Sequence, residues 1–207
     1  MPKIIELSQS LNAKLCHDLA GSIGTVDNCL SLIDNDNKEI SNQAKELAVV
    51  ESANLVKRIK FFRTAYGLSE GENKFSLVNL SKLLQDFFVD TNTKLSIEYA
   101  TGVIYINSMT AKAIICLAVI AGNAAVSGGE VMISIPEADE IPITIKSTGK
   151  NIVIKEDNLN VLKGVPRIPV AVNNCREHYI NSICAHRNYE LKVVKSAESL
   201  EFRMNKK

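Results

Sequence analysis

The sequence predicts an α+β protein in which an N-terminal antiparallel helical hairpin precedes an α/β sandwich. Apolar residues recur every three or four positions over 4–33 and again over 41–67, which is typical of amphipathic helices. From about residue 75 onward, short strand-like runs alternate with helical segments. A polar stretch at 69–73 separates the two patterns and predicts a linker. We therefore expect one domain over residues 1–72 and a second over residues 73–207.

The first helix has one apolar stripe, formed by Ile4, Leu7, Leu11, Leu15, Leu19, Ile23, Val26, Leu30 and Ile33. The polar run Asp34–Lys38 ends this pattern, and Ser41 is suited to cap a second helix that continues to about Gly67. One face of the second helix has Ala48, Leu55, Ile59, Phe62 and Tyr66. Two long helices joined by a short turn form an antiparallel hairpin.

A single hairpin cannot cover its own apolar stripe. The rest of the chain has a different pattern, so the second hairpin is expected to come from a twin chain. This arrangement is a homodimer in which four helices form a bundle around the two stripes.

The second half predicts helices at 79–89, 110–126 and 170–187. The longest apolar run, Ala113–Val126, is shorter than the ~20 residues of a membrane span and is expected to be a buried helix. Strands are predicted at 95–99, 103–106, 131–135, 141–145, 190–195 and 200–204.

Composition excludes several classes of function. The chain has 207 residues, a formal net charge of +1 and 46% hydrophobic residues, which indicates a soluble globular protein without affinity for nucleic acid or membrane. No signal peptide is evident, so the five cysteines are expected to be reduced thiols in a cytoplasmic protein. Cys175, His178, Cys184 and His186 have suggestive spacing, but Cys175 and Cys184 lie on opposite faces of one helix, and no metal site is predicted.

His17 lies opposite the apolar stripe of the first helix. With Leu15 at zero on a helical wheel, His17 falls at about 200°. Lys14, Ala20, Gly21 and Gly24 surround it, and apart from the lysine these neighbours are small. A glycine inside a helix costs about 1 kcal/mol relative to alanine, so two of them suggest a surface that another protein approaches closely. An ordinary solvated face that includes one histidine is the alternative.

An exposed neutral imidazole is a competent nucleophile for a phosphoryl donor. Asp18 either orients or deprotonates the ring, or simply faces solvent. If the hairpin turn centres near Asn37, His17 is level with the cluster Lys57, Arg58 and Lys60. These cations are suited to neutralise a phosphohistidine or a partner's carboxylate, and also to complement the C-terminal end of the helix dipole.

The segment Leu15-Cys16-His17-Asp18-Leu19 resembles the phosphoacceptor box of sensor histidine kinases. The longer strings 15–30 and 58–67 are more similar to the ChpT histidine phosphotransferases of alphaproteobacteria, and the similarity extends over most of the chain. The resemblance implies a dimer with a four-helix bundle and a second domain like the ATP-binding domain of histidine kinases (GHKL-like). In this family, that domain has lost nucleotide binding.

The residues themselves support the loss of nucleotide binding. Asn123 resembles the metal-linked asparagine of a kinase, but Ser147 occupies the position of the adenine-binding carboxylate and Asn151 that of a glycine. No glycine occurs over 152–162, where a phosphate-binding lid needs exposed backbone N–H groups. We expect no ATP and no cofactor of the chain's own. Ser22 replaces a proline found in most relatives, which predicts a straighter helix and puts any role of a kink in docking in doubt.

The resemblance implies a phosphotransferase that relays a phosphoryl group, through His17, from the receiver domain of a hybrid histidine kinase to response regulators. The receiver would supply Mg²⁺, and the regulators are expected to be a transcription factor and a proteolysis adaptor. We predict catalytic roles for His17 and Asp18, and receiver docking at Lys14, Ala20, Gly21, Gly24, Lys57 and Lys60. The alternatives are a phosphorylation-silent dimeric adaptor and a histidine kinase with residual ATP binding.

Overall fold

A computed structural model describes the backbone of residues 2–68, 73–89, 91–136 and 142–207, and the side chains of these ranges from residue 4 onward. Helix α1 (Pro2–Ser31) and helix α2 (Lys38–Tyr66) pack against each other along their lengths and form the predicted hairpin. The predicted polar linker lies largely at residues 69–72, outside the described ranges.

Asparagine side chains form the turn between the two helices. The Asn35 Oδ1 atom accepts a hydrogen bond from the Asn37 backbone N–H, and Asn37 Oδ1 accepts one from Glu39 N–H, both at 2.9 Å. Asn37 is therefore the N-cap of α2. The prediction that Ser41 caps this helix is wrong. Ser41 is buried one turn inside α2, and its hydroxyl donates to the Ile33 carbonyl oxygen, which ties the two helix ends together.

The second part of the chain is a two-layer α/β unit, which confirms the predicted fold class. Its helices are α3 (Leu77–Phe88), α4 (Ser108–Ala124), α5 (Glu156–Leu162) and α6 (Cys175–His186). Its strands are β1 (Lys74–Ser76), β2 (Thr93–Tyr99), β3 (Tyr105–Asn107), β4 (Gly129–Ile135), β5 (Ile143–Thr148), β6 (Tyr189–Lys195) and β7 (Ser199–Lys206).

Five of the strands form one mixed sheet in the order β2-β4-β5-β7-β6. The β2 and β4 strands are parallel, and the other neighbours are antiparallel. The β1 and β3 strands form a separate antiparallel pair. Helix α4 packs against β4, β5 and β7, so the core lies between this helix and the sheet.

Several predicted boundaries differ from the structure. The helix predicted from residue 170 begins at Cys175, because Asn174 Oδ1 accepts from Ala171 N–H at 2.8 Å and holds the preceding residues in a turn. Helix α5 and strand β1 were not predicted, since each is too short to show a period. The strand predicted at 103–106 is shifted to Tyr105–Asn107, and that predicted at 141–145 is Ile143–Thr148.

Helix α4 is the centre of the core, as its apolar sequence predicts. Ile115 and Leu117 are fully buried, as are Ile145 and Phe202 on the sheet. Gly122 allows α3 to approach closely, because a Cβ at this position would lie 2.5 Å from the Phe88 ring. No helix within the described ranges is long and apolar enough to cross a bilayer.

The hairpin is much less buried than this core. Among the described side chains of α1, only Ser22 and Cys29 are buried within the chain. Ile4, Ile23 and Leu30 of the predicted stripe are exposed, and so is Ile59 of α2. Part of the apolar stripe therefore remains uncovered in a single chain.

Candidate phosphotransfer site

His17 extends from α1 into solvent, as the helical wheel predicts. Its side chain is 82% exposed. The ring atom Nδ1 lies 3.4 Å from the Asp18 Oδ1 atom. A proton on Nδ1 would face this carboxylate and leave the lone pair of Nε2 directed away from the helix.

Asp18 is shared between two neighbours. The Lys14 Nζ atom donates to Asp18 Oδ1 at 2.6 Å, an ion pair across one helical turn. The Asp18 side chain is 22% exposed, so the pair is only partly screened by water. Lys14 therefore fixes the carboxylate that faces the imidazole.

The surface beside His17 is open. Ala20 and Gly21 are exposed, and Gly24 is half-buried. A Cβ added at Gly21 or Gly24 would meet no atom within 4 Å, so no packing inside the chain requires these glycines. Packing inside the chain therefore does not explain why glycine, which disfavours a helix, stands at these two positions.

His17 lines a cleft of about 530 Å³ between the hairpin and the second part of the chain. The predicted residues Lys14, Asp18, Lys57 and Lys60 also line it, whereas Ala20, Gly21 and Gly24 lie outside it. The other cleft residues are Asn54, Arg58, Phe61, Phe62, Leu83, Asp86, Phe87, Thr91, Val119, Asn123 and Arg176. The lining has five lysine and arginine side chains against two aspartates, which favours an acidic partner.

The residues that form the wall of the cleft opposite the hairpin, such as Arg176, were not predicted from the sequence. Arg176 at the start of α6 donates through Nε to the Tyr66 hydroxyl at 2.9 Å. The Tyr179 hydroxyl donates to the Ala65 carbonyl oxygen at 3.2 Å, and its ring packs against that of Tyr66 with centroids 5.5 Å apart. Lys112 Nζ donates to the Gly67 carbonyl oxygen. These contacts fix the end of α2 against α4 and α6.

Buried polar groups surround this junction. Burial raises the pKa of the Tyr66 phenol well above its usual value and that of the neighbouring Cys116 thiol to about 12, so both are neutral at physiological pH. Burial also raises the pKa of the Glu177 carboxyl, whereas hydrogen bonding from Asn158 and the charges of Arg176 and Lys14 act in the opposite direction. Helices α1 and α6 are in contact with each other.

The segment that follows β5, where a kinase would have its phosphate-binding lid, packs against the end of α4. Ser147 is fully buried in β5. The Ile152 side chain is also buried, and its backbone forms a bridge to Ala125 after the end of α4. Val153 N–H donates to the Ala124 carbonyl oxygen at 2.8 Å. The segment after β5 is thus tied to the end of the helix that contains Asn123.

Two further predictions concern α1 and metal binding. The helix is continuous through Ser22, whose side chain is buried. Among the residues that the structure describes, no group of histidine, cysteine and acidic side chains is arranged to hold a metal ion. All five cysteines are free thiols, and Cys16 alone among them is exposed.

Comparison with protein families assigns the chain to a class of signalling protein. A family model described as the histidine phosphotransferase C-terminal domain matches residues 78–199, which is more than half of the chain. The chain therefore belongs to the histidine phosphotransferase family, as the resemblance in the sequence indicated. No curated protein matches the chain significantly.

A solved structure shares the fold, and two solved histidine kinases match less well. A bacterial phosphotransferase superposes with a TM-score of 0.84 at 18% identity, over 97% of this chain and 96% of that chain. The histidine kinase AdeS of Acinetobacter baumannii matches with a TM-score of 0.47 at 14% identity, over 91% and 95% of the two chains. The histidine kinase ThkA, in complex with the response regulator TrrA, matches with a TM-score of 0.46 at 12% identity, over 93% and 59%.

Proposed function

We propose that this protein is a dimeric histidine phosphotransferase that relays a phosphoryl group from the receiver domain of a hybrid histidine kinase to response regulators. The observation that carries the proposal is the exposed His17 ring, whose Nδ1 faces Asp18 at the edge of a basic cleft. Membership of the histidine phosphotransferase family supports it.

The first transfer uses the Nε2 lone pair of neutral His17. This lone pair attacks the phosphorus of the receiver's aspartyl phosphate, the new N–P bond forms, and the P–O bond to the aspartate breaks with its electron pair remaining on the carboxylate. The ring becomes a phosphorylated imidazolium that retains the Nδ1 proton. The Asp18 carboxylate, 3.4 Å from Nδ1, stabilises this positive charge. The second transfer reverses these steps toward the aspartate of a response regulator.

The chain contributes mainly positioning and charge to this reaction. Lysine and arginine side chains of the cleft attract the acidic face of a receiver and offset the charge of the phosphoryl group. The receiver brings its own Mg²⁺, so the chain needs no cofactor. The second part of the chain provides a further docking wall, with Leu83, Phe87 and Val119 at the cleft.

The relay does not use ATP in this proposal. Ser147 has no carboxylate to accept from adenine and is fully buried in β5, and the segment at Ile152 and Val153 is bound to the end of α4 instead of forming a glycine-rich lid. A nucleotide titration tests this point directly. Micromolar affinity for ATP would instead support a kinase with residual nucleotide binding.

The proposed dimer covers the apolar stripe. A groove between α1 and α2 is lined by apolar residues that include Leu11, Leu15, Leu19, Ile59 and Phe62. The matching hairpin of a second chain would fill this groove with helices of the same pattern and complete a four-helix bundle. His17 lies on the opposite side of α1, so both copies remain accessible to receivers.

The experiment is a transfer assay with a radiolabelled phospho-receiver. We expect acid-labile, base-stable label on the wild-type protein and none on His17→Ala. His186→Ala is the matched control, because His186 is also exposed but lies at the end of α6. Label on His17→Ala would contradict the proposal. Receiver binding without label on the wild type would support the silent adaptor.

A further inference from the structure

Arg176 lies in the wall of the cleft that faces the hairpin. It belongs to the first turn of α6, and both Arg176 and His17 line the same cleft. Helices α1 and α6 are in contact with each other, and Lys14 lines this cleft too. Lys14 and His17 of α1 therefore share one cleft with Arg176 of α6.

The guanidinium of Arg176 is held in place before any partner binds. Its Nε donates to the Tyr66 hydroxyl at 2.9 Å, and Tyr66 is itself partly buried, beside Tyr179 and Cys116. This bond uses Nε, whereas the two terminal nitrogens have four further N–H donors in a fixed plane. Such a plane is suited to bidentate binding of a carboxylate or a phosphoryl group.

Among the described residues, Arg176 forms no direct ion pair. The carboxylate of the adjacent Glu177 acts on its charge at longer range. A partly buried cation without a direct ion pair is unfavourable for folding, because it has lost part of its hydration with only partial compensation. The bond to Tyr66 explains its orientation but not the choice of a charged side chain at this position.

Resting on the proposed relay, the geometry points to Arg176 as a binding residue for an oxyanion of the docked receiver domain. Two sources share this chemistry: the phosphoryl group in transfer and a carboxylate beside it in the receiver's acidic site. Through Arg176, the C-terminal part of the chain takes part in recognition at the reacting group, in addition to supplying an apolar docking wall.

The test is single-turnover transfer from the radiolabelled phospho-receiver that labels the wild type, measured over a range of receiver concentrations. We expect Arg176→Met to lower the ratio of maximal rate to half-saturating concentration by about 10-fold or more. Binding of a receiver carboxylate by Arg176 raises the half-saturating concentration in this variant. Binding of the phosphoryl group lowers the maximal rate instead.

Three variants separate oxyanion binding from a structural role. Arg176→Lys keeps the charge and should retain more transfer activity than Arg176→Met. Tyr66→Phe keeps the guanidinium and should also lower transfer activity less than Arg176→Met. Arg203→Met changes the net charge equally but lies on β7 outside the cleft, paired with Glu201, and should match the wild type.

If the Arg176→Met variant accepts the phosphoryl group as fast as the wild type, the inference is overturned but the proposed relay is not affected. Equal losses in Arg176→Met, Arg176→Lys and Tyr66→Phe, together with equal falls in melting temperature, would show a purely structural role and would also overturn it. A wild-type protein that no phospho-receiver labels would contradict the relay itself, and the inference with it.

Discussion

The helical hairpin and the α/β unit differ in how they bury their apolar residues. In α4, side chains are buried on every face, between the sheet on one side and α3 and α6 on the other. In α1 and α2, apolar side chains such as Ile23 and Ile59 remain exposed along the helices. The α/β unit thus has a complete core, whereas the hairpin has an apolar surface that the chain itself leaves partly exposed.

The two regions therefore differ in the contacts that their apolar residues make. Those of the α/β unit contact each other within one molecule. Part of the hairpin stripe stays exposed on one side of α1, and His17 lies on the opposite side. In the proposed relay, one helix thus has a dimer surface on one side and the phosphoacceptor on the other.

The largest expected effect is on the core. Leu117→Ala should lower the free energy of unfolding by about 2–5 kcal/mol, because Leu117 is fully buried and its loss leaves a cavity. The same truncation in the hairpin, Leu30→Ala, should lower the free energy of unfolding much less at low protein concentration, since Leu30 is 55% exposed. Urea denaturation of both variants over a hundredfold range of concentration measures the difference.

Concentration dependence is the decisive result of that comparison. The cost of Leu117→Ala should not change with concentration, whereas the cost of Leu30→Ala should grow as dimers form. Equal and constant costs at both positions would mean that the hairpin is not part of an assembly.

A charge in the stripe should weaken the dimer. Ile59→Glu places a carboxylate in the groove between α1 and α2 and should weaken association by about 2 kcal/mol, roughly 30-fold, as measured by sedimentation. Gln43→Glu adds the same charge to an exposed position on the opposite face of α2 and is the matched control. Equal association constants for both variants would place the interface elsewhere.

The smallest expected effect concerns the surface beside His17. Gly21→Ala should stabilise the protein by about 1 kcal/mol, because the added methyl meets no atom within 4 Å. Gly21→Gln should give a similar gain in melting temperature but slow transfer from the receiver, since its longer side chain occupies the docking surface. Unchanged transfer in Gly21→Gln would show that receivers do not approach this part of the helix.

Periodicity predicted the parts of the fold that depend on local sequence. The stripe from Leu7 to Leu30 indicated an amphipathic helix, and the apolar run of α4 indicated a buried one. The position of His17 opposite the stripe follows from the same geometry, and the structure agrees with it. Short elements such as Glu156–Leu162 were missed, because seven residues contain less than two full helical periods.

Contacts that lie outside a single helix explain two of the remaining differences. Ser41 has the residue type of a helix cap, but its bond to Ile33 across the turn places the cap at Asn37. Arg176 was not predicted as a cleft residue because a helical wheel describes one helix at a time. Its position depends on Tyr66, 110 residues earlier in the chain.

The long separation of these partners has a consequence for how the protein folds. The contacts that close the cleft join Tyr66 to Arg176 and Ala65 to Tyr179, which are 110 and 114 residues apart. Contacts of such high sequence separation form late, because loop closure must precede any stabilisation they give. The hairpin and the sheet can each form earlier from more local contacts. Completion of the cleft is thus expected to be the last folding event, so a chain that is only partly folded has an exposed histidine but no finished surface for its partner.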